Sequence, residues 1–343
     1  MQHFRWSFIV TVVLLGVSAW WGYSNGGLAG AVQALLIASI LAVLEISLSF
    51  DNAVVNASVL RNWDEFWQKL FLGLGIIIAV FGMRLVFPIV IVAVVTDMGP
   101  IEVMRMALEQ PDEYARQLTD NHAVVASFGG SFLLLVFLNF LFDQDKELHW
   151  LGVIEEKLGK HGSEGLSTLI ALLAVYGASK MASIDDQHAV LLAGLGGVII
   201  YLSVSFLSGL LETEAGDPAL SNVVQRGSIG GFLYLEVLDA SFSFDGVIGA
   251  FAITSDVVII MTGLAIGAMF VRSMTIFLVR KGTLEQYVYL EHGAHYAIAI
   301  LAVIMLASVK FHVPEWITGL SGVAFIGLSL WSSVRYKRLQ AKG

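Results

Sequence analysis

The sequence predicts an all-α polytopic membrane protein of about ten transmembrane helices, with an inverted repeat of about three helices and helices broken at the repeated motif. Three observations carry this expectation. Of 343 residues, 57% are hydrophobic and 14% are charged, against roughly 45–50% and about 25% in soluble domains. The apolar residues fall in long runs rather than in the alternating pattern of a β-barrel. One polar motif also occurs twice, each time inside an apolar run.

The apolar runs place spans, in order, at 6–23, 28–60, 70–95, 122–142, 166–183, 189–211, 229–253, 257–279, 287–309 and 316–336. About 20 apolar residues cross a bilayer once. The run 28–60 is too long for one simple helix, and polar residues interrupt both it and 229–253. The run 166–183 is the shortest and ends near Lys180. Residues 6–23 read as a helix rather than a signal peptide. No small-residue cleavage site follows, and Trp20, Trp21 and Tyr23 form an interfacial belt. The chain divides into an N-terminal helix (1–27), a first repeat half (28–142), a loop with two connecting helices (143–225), a second repeat half (226–310) and a C-terminal helix with a basic tail (311–343).

Lys and Arg set the orientation. With ten spans and a cytoplasmic N-terminus, thirteen of the nineteen fall inside, Arg226 and Lys342 among them, and four fall outside. Arg84 and Arg272 lie within spans. Both termini are then cytoplasmic, in a multi-pass protein of the inner (plasma) membrane. The net charge of −9 speaks against nucleic acid as a partner, and the lack of cysteine excludes disulfides and thiolate metal sites. The longest polar connection, 96–121, includes Asp97 and five further acids against two arginines. Its apolar positions Ile101, Met104, Met106 and Leu108 suggest a short amphipathic helix on the outer face, in a segment that reads as a solvated connection rather than a cation-gathering vestibule.

The repeat carries the chemistry. Glu45-Ile-Ser47-Leu-Ser49-Phe50-Asp51-Asn52 is matched by Asp239-Ala-Ser241-Phe-Ser243-Phe244-Asp245-Gly246. Gly75 and Arg84 follow the first copy, and Gly263 and Arg272 follow the second, with an offset of nine both times. The copies lie five spans apart, so they cross the membrane in opposite directions. Inverted repeats with interrupted helices place a transporter's site near the midplane.

A carboxylate at the bilayer centre costs about 2.5 kcal/mol or more. Glu45, Asp51, Asp239 and Asp245 must therefore face the interior, a cation, protons or arginine, and Glu236 adds a fifth acid one turn before Asp239. On an intact helix Glu45, Ser49 and Asn52 share a face while Asp51 points elsewhere. Convergence needs a break near 47–49, and likewise between Asp239 and Asp245, where Gly246 and Gly249 ease it. Carboxylates, Asn52 and the hydroxyls of Ser49 and Ser243 are hard donors suited to Mn²⁺, Mg²⁺ or Ca²⁺. Arg84 and Arg272 read as gates or charge-compensating partners. If both are paired, four motif acids retain a net −2, which a divalent cation matches.

Other polar residues read as less specific. His122, His292 and His295 near span ends read as interfacial. Asp185, Asp186 and His188 read as a solvent-facing turn, and Gly194, Gly196 and Gly197 as packing glycines. There is no P-loop, no HExxH and no Ser–His pairing, so no enzyme is expected.

The segment Leu44-Glu45-Ile46-Ser47-Leu48-Ser49-Phe50-Asp51-Asn52-Ala53-Val54-Val55 resembles the signature of the TerC family of integral membrane proteins, and Asp239 to Gly246 resembles its second signature. The resemblance covers about two thirds of the chain and looks like a larger, divergent branch. It implies the LysE-like transporter superfamily with 3+3 inverted repeats. It implies export of divalent cations, most often Mn²⁺, and an association with tellurite resistance. By position, Glu45, Asp51, Asn52, Asp239 and Asp245 would hold the ion. Gly246 departs from the polar residue that often follows the second Asp, which makes the two copies unequal. The expected function is thus divalent-cation export by alternating access, with a proton as counter-ion. The alternative is a non-transporting membrane scaffold for metal stress.

Overall fold

Gly26 and Gly27 turn the first apolar run back on itself. The computed structural model describes residues 4–96, 98–144, 146, 148–213, 227–282, 286–311 and 313–340. Helix α1, Arg5–Leu48, leaves helical geometry at these two glycines, and Gly27 takes φ +60, which a side chain would resist. The two arms touch where no side chain intervenes. A Cβ on Gly22 would stand 2.4 Å from the Gly30 carbonyl oxygen and 2.7 Å from the Ala34 Cβ.

Helix α12, Val257–Arg280, lies along both arms. Ser7 meets Ser273 and Ser18 meets Thr262, each at 2.6 Å between hydroxyl oxygens. On the other arm Gly263 meets Ala38 and Leu41, and Gly267 meets Ala42 and Glu45. Numbers fall along α12 as they rise on the first arm, and rise together on the second. The arms are therefore antiparallel, as separate spans 6–23 and 28–60 require. Small residues let these backbones approach. Asp256 accepts from the Val258 and Ile259 amides as the N-cap of α12 and from Trp21 Nε1 at 2.9 Å, which ties the hairpin to that cap.

The remaining elements follow in chain order. Helix α2 is Phe50–Leu60 and α3 is Glu65–Ile77. A π-helical segment covers Ile78–Val86 and leads into α4, Phe87–Thr96. The two parts of this run are bent by 42°. Then come α5 (Pro100–Glu109), α6 (Pro111–Asp120), α7 (His122–Leu141), α8 (Val153–His161), α9 (Glu164–Met181), α10 (Gln187–Thr213) and α11 (Ile229–Ile253). After α12 the chain ends with α13 (Leu290–Ser308) and α14 (Glu315–Gln340). No strand occurs among the described residues.

All ten predicted apolar runs are helical. Among the described residues six helices are long and apolar enough to cross a membrane, and a seventh if the bent pair is one span. The first of the six is the doubled α1. Helix α9 falls short by length, and α11 is interrupted by acids. The α7 helix is central. Ser127 and Ser131 donate to the Val190 and Gly194 carbonyls of α10, and Gly129 and Gly130 seat Met305 and Leu306 of α13. Gly194 and Gly197 pack closely as expected, against Val175, Ser127, Ser131 and the Phe128 carbonyl. Asp185, Asp186 and His188 are exposed.

Two expectations need correction. The outer connection carries two short helices where one was expected, each with proline in its first turn, an ordinary helix start. Val103, Met106 and Ala107 are spaced i, i+3, i+4 and seat α5 on Ile89 and Val92 of α4. Of the four apolar positions singled out, only Met106 is buried, and Ile101, Met104 and Leu108 are exposed. The second motif helix is also unbroken: α11 runs continuously through Ser241–Gly246. Asp97, Arg226 and Lys342 lie outside the described residues, as does the Asp245 side chain.

Candidate functional site

The two motif helices cross in opposite directions. Trp63 packs on Gly231, Asn52 and Asn56 reach Asp239, and Glu45 packs on Gly246. As numbers rise from 45 to 63, their partners fall from 246 to 231. This is the antiparallel course that an inverted repeat requires.

The halves also exchange partners. The second arm of α1 runs parallel to α12 of the other repeat. In turn α11 runs parallel to α3, with Phe232 against Phe71 at 6.0 Å between ring centroids and Glu236 against Gly75. Gly75 and Gly263 serve as matching contact points, which explains why the motif repeats glycine as well as arginine.

At Ser49 the first motif helix does break. The α1 helix ends at Leu48, Ser49 sits at φ −102, ψ 17, and α2 begins at Phe50. The break is slight, because the Ser49 amide still donates to the Glu45 carbonyl and the Ala53 amide to that of Ser49. Glu45 is almost wholly buried and ion-pairs with Arg84, which also donates to the Ala79 carbonyl inside the π-helical segment. The widened turn is what lets this arginine reach both, and such segments often mark functional sites. Ser49 adds a hydroxyl bond to Glu45 at 3.2 Å. Glu45 is also closely packed: a Cβ at Gly267 would stand 2.4 Å from its Cβ, and one at Gly246 would stand 2.7 Å from Oε2.

Asp51 does not join Glu45. It is buried against α14, where its Oδ2 lies 3.2 Å from the Cβ position of Gly322, and its Oδ1 accepts from the Asn52 amide at 3.0 Å. The break at Ser49 is too small to bring the two acids to one point. Ser47 is exposed and opens on an apolar groove between α1 and α14 lined by Val43, Leu48, Leu320 and Val323.

The second motif is built differently. Asp239 Oδ1 accepts from Asn52 Nδ2 at 2.7 Å and from Asn56 Nδ2 at 2.9 Å, while Oδ2 lies 3.5 Å from Arg272 Nη2. Neither terminal nitrogen of Arg272 makes a hydrogen bond among the described residues. The guanidinium rests instead on the Phe71 ring, 4.0 Å from its centroid. Beside it, Glu236 is 5% exposed and neither carboxylate oxygen has a hydrogen-bond partner. The Oδ1 atoms of Asn52 and Asn56 and the hydroxyl of Ser243 are likewise buried and unpartnered. Buried polar groups are normally satisfied. This concentration of open acceptors at one helix crossing is uncommon and suits a positively charged guest.

Both intramembrane arginines are therefore charge partners of motif acids within their own repeat. Glu45, Ser49, Asn52, Asp239 and both arginines meet around the crossing, whereas Asp51 stands apart, packed against α14. Among the described residues no group of three or more His, Asp or Glu has metal-holding geometry. Asn56, one turn beyond Asn52 on the same face, is a site residue that the motif match did not single out. A second amide in an apolar helix at i+4 was its available signal.

A further buried cluster closes one end of the bundle. Lys146 Nζ lies 2.6 Å from Glu155 Oε1, and His292 Nε2 lies 3.5 Å from the same oxygen. Lys146 also donates to the Phe140 carbonyl at 2.9 Å, and His295 stacks on Phe140 at 3.9 Å. Both histidines are buried rather than interfacial. Burial raises the Glu155 carboxyl, but the Lys146 bond and charge and the Leu151 amide outweigh it and hold the group below its ordinary value.

These features define an all-helical protein with the apolar helices of a polytopic membrane protein, folded around two antiparallel motif helices. The chain belongs to the DUF475 family, described as a protein family of unknown function, whose model matches residues 50–340. No curated protein and no solved structure matches it.

Proposed function

We propose that this DUF475 protein is an inner-membrane transporter that exports a divalent cation by alternating access between the two motif helices. Mn²⁺ is the foremost substrate, with Ca²⁺ and Mg²⁺ behind it, and both termini face the cytoplasm. The supporting observation is the set of open oxygen acceptors around Asp239, namely Asn52 Oδ1, Asn56 Oδ1 and Ser243 Oγ, buried where two inverted helices cross, with the open carboxylate of Glu236 beside Arg272. Hard oxygens of this kind fit Mn²⁺ and Mg²⁺ and fit thiophilic metals poorly. The likeness of both motifs to the TerC signatures supports the same reading.

Asp239 is the acid best placed to exchange an internal cation for a transported one, because its arginine contact is long and carries no hydrogen bond. Glu45 is closed by Arg84 and by packing, so it serves as the fixed point of the first half. Asp51, packed against α14, and Asp245 are the further acids proposed as ligands along the path. A proton taken up by a carboxylate in this low-dielectric setting is the proposed counter-ion.

Metal uptake into proteoliposomes tests the proposal, with wild type beside Asp51→Asn, Asp239→Asn and Asp245→Asn. Mn²⁺ accumulation that Asp239→Asn abolishes supports it. A pH gradient that leaves the rate unchanged removes the proton coupling. One observation favours the scaffold alternative: Glu45 and Asp239 already have internal counter-ions. Folded protein that moves none of Mn²⁺, Ca²⁺ or Mg²⁺ would overturn the transport reading in favour of that alternative.

A further inference from the structure

Arg272 stands between two acids but makes a hydrogen bond to neither. We propose that Glu236 is the alternative partner of Arg272. When a divalent cation takes Asp239, the guanidinium swings from Asp239 to Glu236, and it swings back when the cation leaves. This rests on the transport reading and assigns it a moving part. Glu236 is a positioning residue that acts on the cation through Arg272.

Four observations point to this exchange. The Arg272–Asp239 contact is 3.5 Å, and both terminal nitrogens lack a hydrogen bond. The guanidinium carbon lies over Phe71, 4.0 Å from the ring centroid, a surface over which it can pivot without leaving its cation–π partner. Glu236 is almost fully buried and both its oxygens are unpartnered, so it is a ready receptor for a planar fork of donors. Finally, the gap between them is kept clear by a missing side chain. A Cβ on Gly75 would stand 2.8 Å from Glu236 Oε1 and 2.9 Å from Arg272 Nη2.

The first half has no counterpart. The position equivalent to Glu236, three residues before the motif acid, is Ala42, and Arg84 is held by Glu45 and the Ala79 carbonyl. One half therefore carries a fixed arginine and the other an arginine with two places to go. Without a second place, Arg272 would compete with the incoming cation for Asp239 at every cycle.

The test is Mn²⁺ uptake by proteoliposomes of wild type, Glu236→Gln, Gly75→Ala and the double variant Glu236→Gln/Arg272→Gln, each first checked for a monodisperse folded peak in detergent. The clash that Gly75→Ala introduces is with the far ends of two flexible side chains, so that protein folds. We expect both single variants to raise the Mn²⁺ concentration for half-maximal uptake about tenfold, which corresponds to about 1.4 kcal/mol. We expect the double variant to recover most of that loss, because the competitor for Asp239 is gone. A merely structural role for Glu236 would give no such recovery. Wild-type transport with single variants indistinguishable from it overturns the exchange alone. Absence of transport in wild type overturns the transport reading beneath it.

Discussion

The two halves of the repeat carry the same motif, yet they use their arginines in opposite ways. Arg84 is fastened: it contacts Glu45 and a backbone carbonyl, and Gly246 and Gly267 close the space around that acid. Arg272 is loose: it stacks on Phe71, stands 3.5 Å from Asp239 and leaves Glu236 open. Symmetric sequence thus gives asymmetric chemistry. The cause lies in a few unmatched positions, Ala42 against Glu236 and Asn56 against Ala250, which put extra acid and extra amide on one side only. An inverted repeat supplies the two-sided scaffold, and these departures from symmetry give one side the freedom to bind and release.

The largest effect should come from unfastening the fixed half. Arg84→Gln leaves Glu45 as an uncompensated buried charge, a loss of about 3–5 kcal/mol. Thermal unfolding in detergent should show it, and Glu45→Gln/Arg84→Gln should restore much of the stability because both charges are gone. An equal loss in the double variant would show that packing, not the ion pair, sets the cost.

Removing the amides from Asp239 should be the next largest. Asn52→Ala and Asn56→Ala each delete a donor to a charged acceptor, a bond of about 1.5–3 kcal/mol. Both should weaken Mn²⁺ uptake as well as stability, since each also removes an open carbonyl oxygen. If Asn56→Ala changes neither, Asn56 lies outside the cation site.

The cluster at the end of the bundle should respond to acid. The Glu155 carboxyl is held below its ordinary value of 4.5 in the folded state. Its stabilising contribution is therefore fully present above that value and fades as pH falls through the lower folded one. Limited proteolysis of 143–165 should be flat from neutral pH down to about 5 and should rise below about 4.5, near the unfolded glutamate value. Glu155→Gln should remove this rise by making the segment sensitive at every pH. The smallest effect belongs to the outer helices. Arg116 hydrogen-bonds Glu113 and holds that exposed carboxyl below its ordinary value, yet solvent screens the pair. Arg116→Ala should leave the melting temperature unchanged within error.

What could be read from the sequence follows the strength of each local signal. Acids within apolar runs announced the motif helices, and an odd spacing of spans announced their opposite directions. The separation of the runs 6–23 and 28–60 marked two arms, and the structure adds that Gly26 and Gly27 make the turn between them. The break at Ser49 lies where it was expected, though not for the reason expected, since Glu45 and Asp51 stay apart across it. The unbroken α11 was not readable, because Gly246 keeps helical geometry when Glu45 packs against it, a contact between residues 201 positions apart. Pairing of each arginine with the acid of its own repeat depends on how the halves interlock, which local patterning leaves open. Asn56 and the Lys146–Glu155–His292 cluster escaped for the same reason. Their partners are remote or belong to a loop that folds back over the bundle. In the outer connection a weak i, i+3, i+4 stripe was masked by neighbouring apolar residues on the wrong face.

The most direct test of the asymmetry is thermal unfolding of Arg84→Gln and Arg272→Gln side by side, with and without saturating Mn²⁺. A ligand that binds only the folded state raises its stability. We predict that Mn²⁺ stabilises Arg272→Gln well beyond its effect on wild type, because the cation replaces the guanidinium at Asp239, and stabilises Arg84→Gln no more than wild type, because that variant only keeps the Asp239 site it already had. Equal rescue of both variants, or of neither, would contradict it.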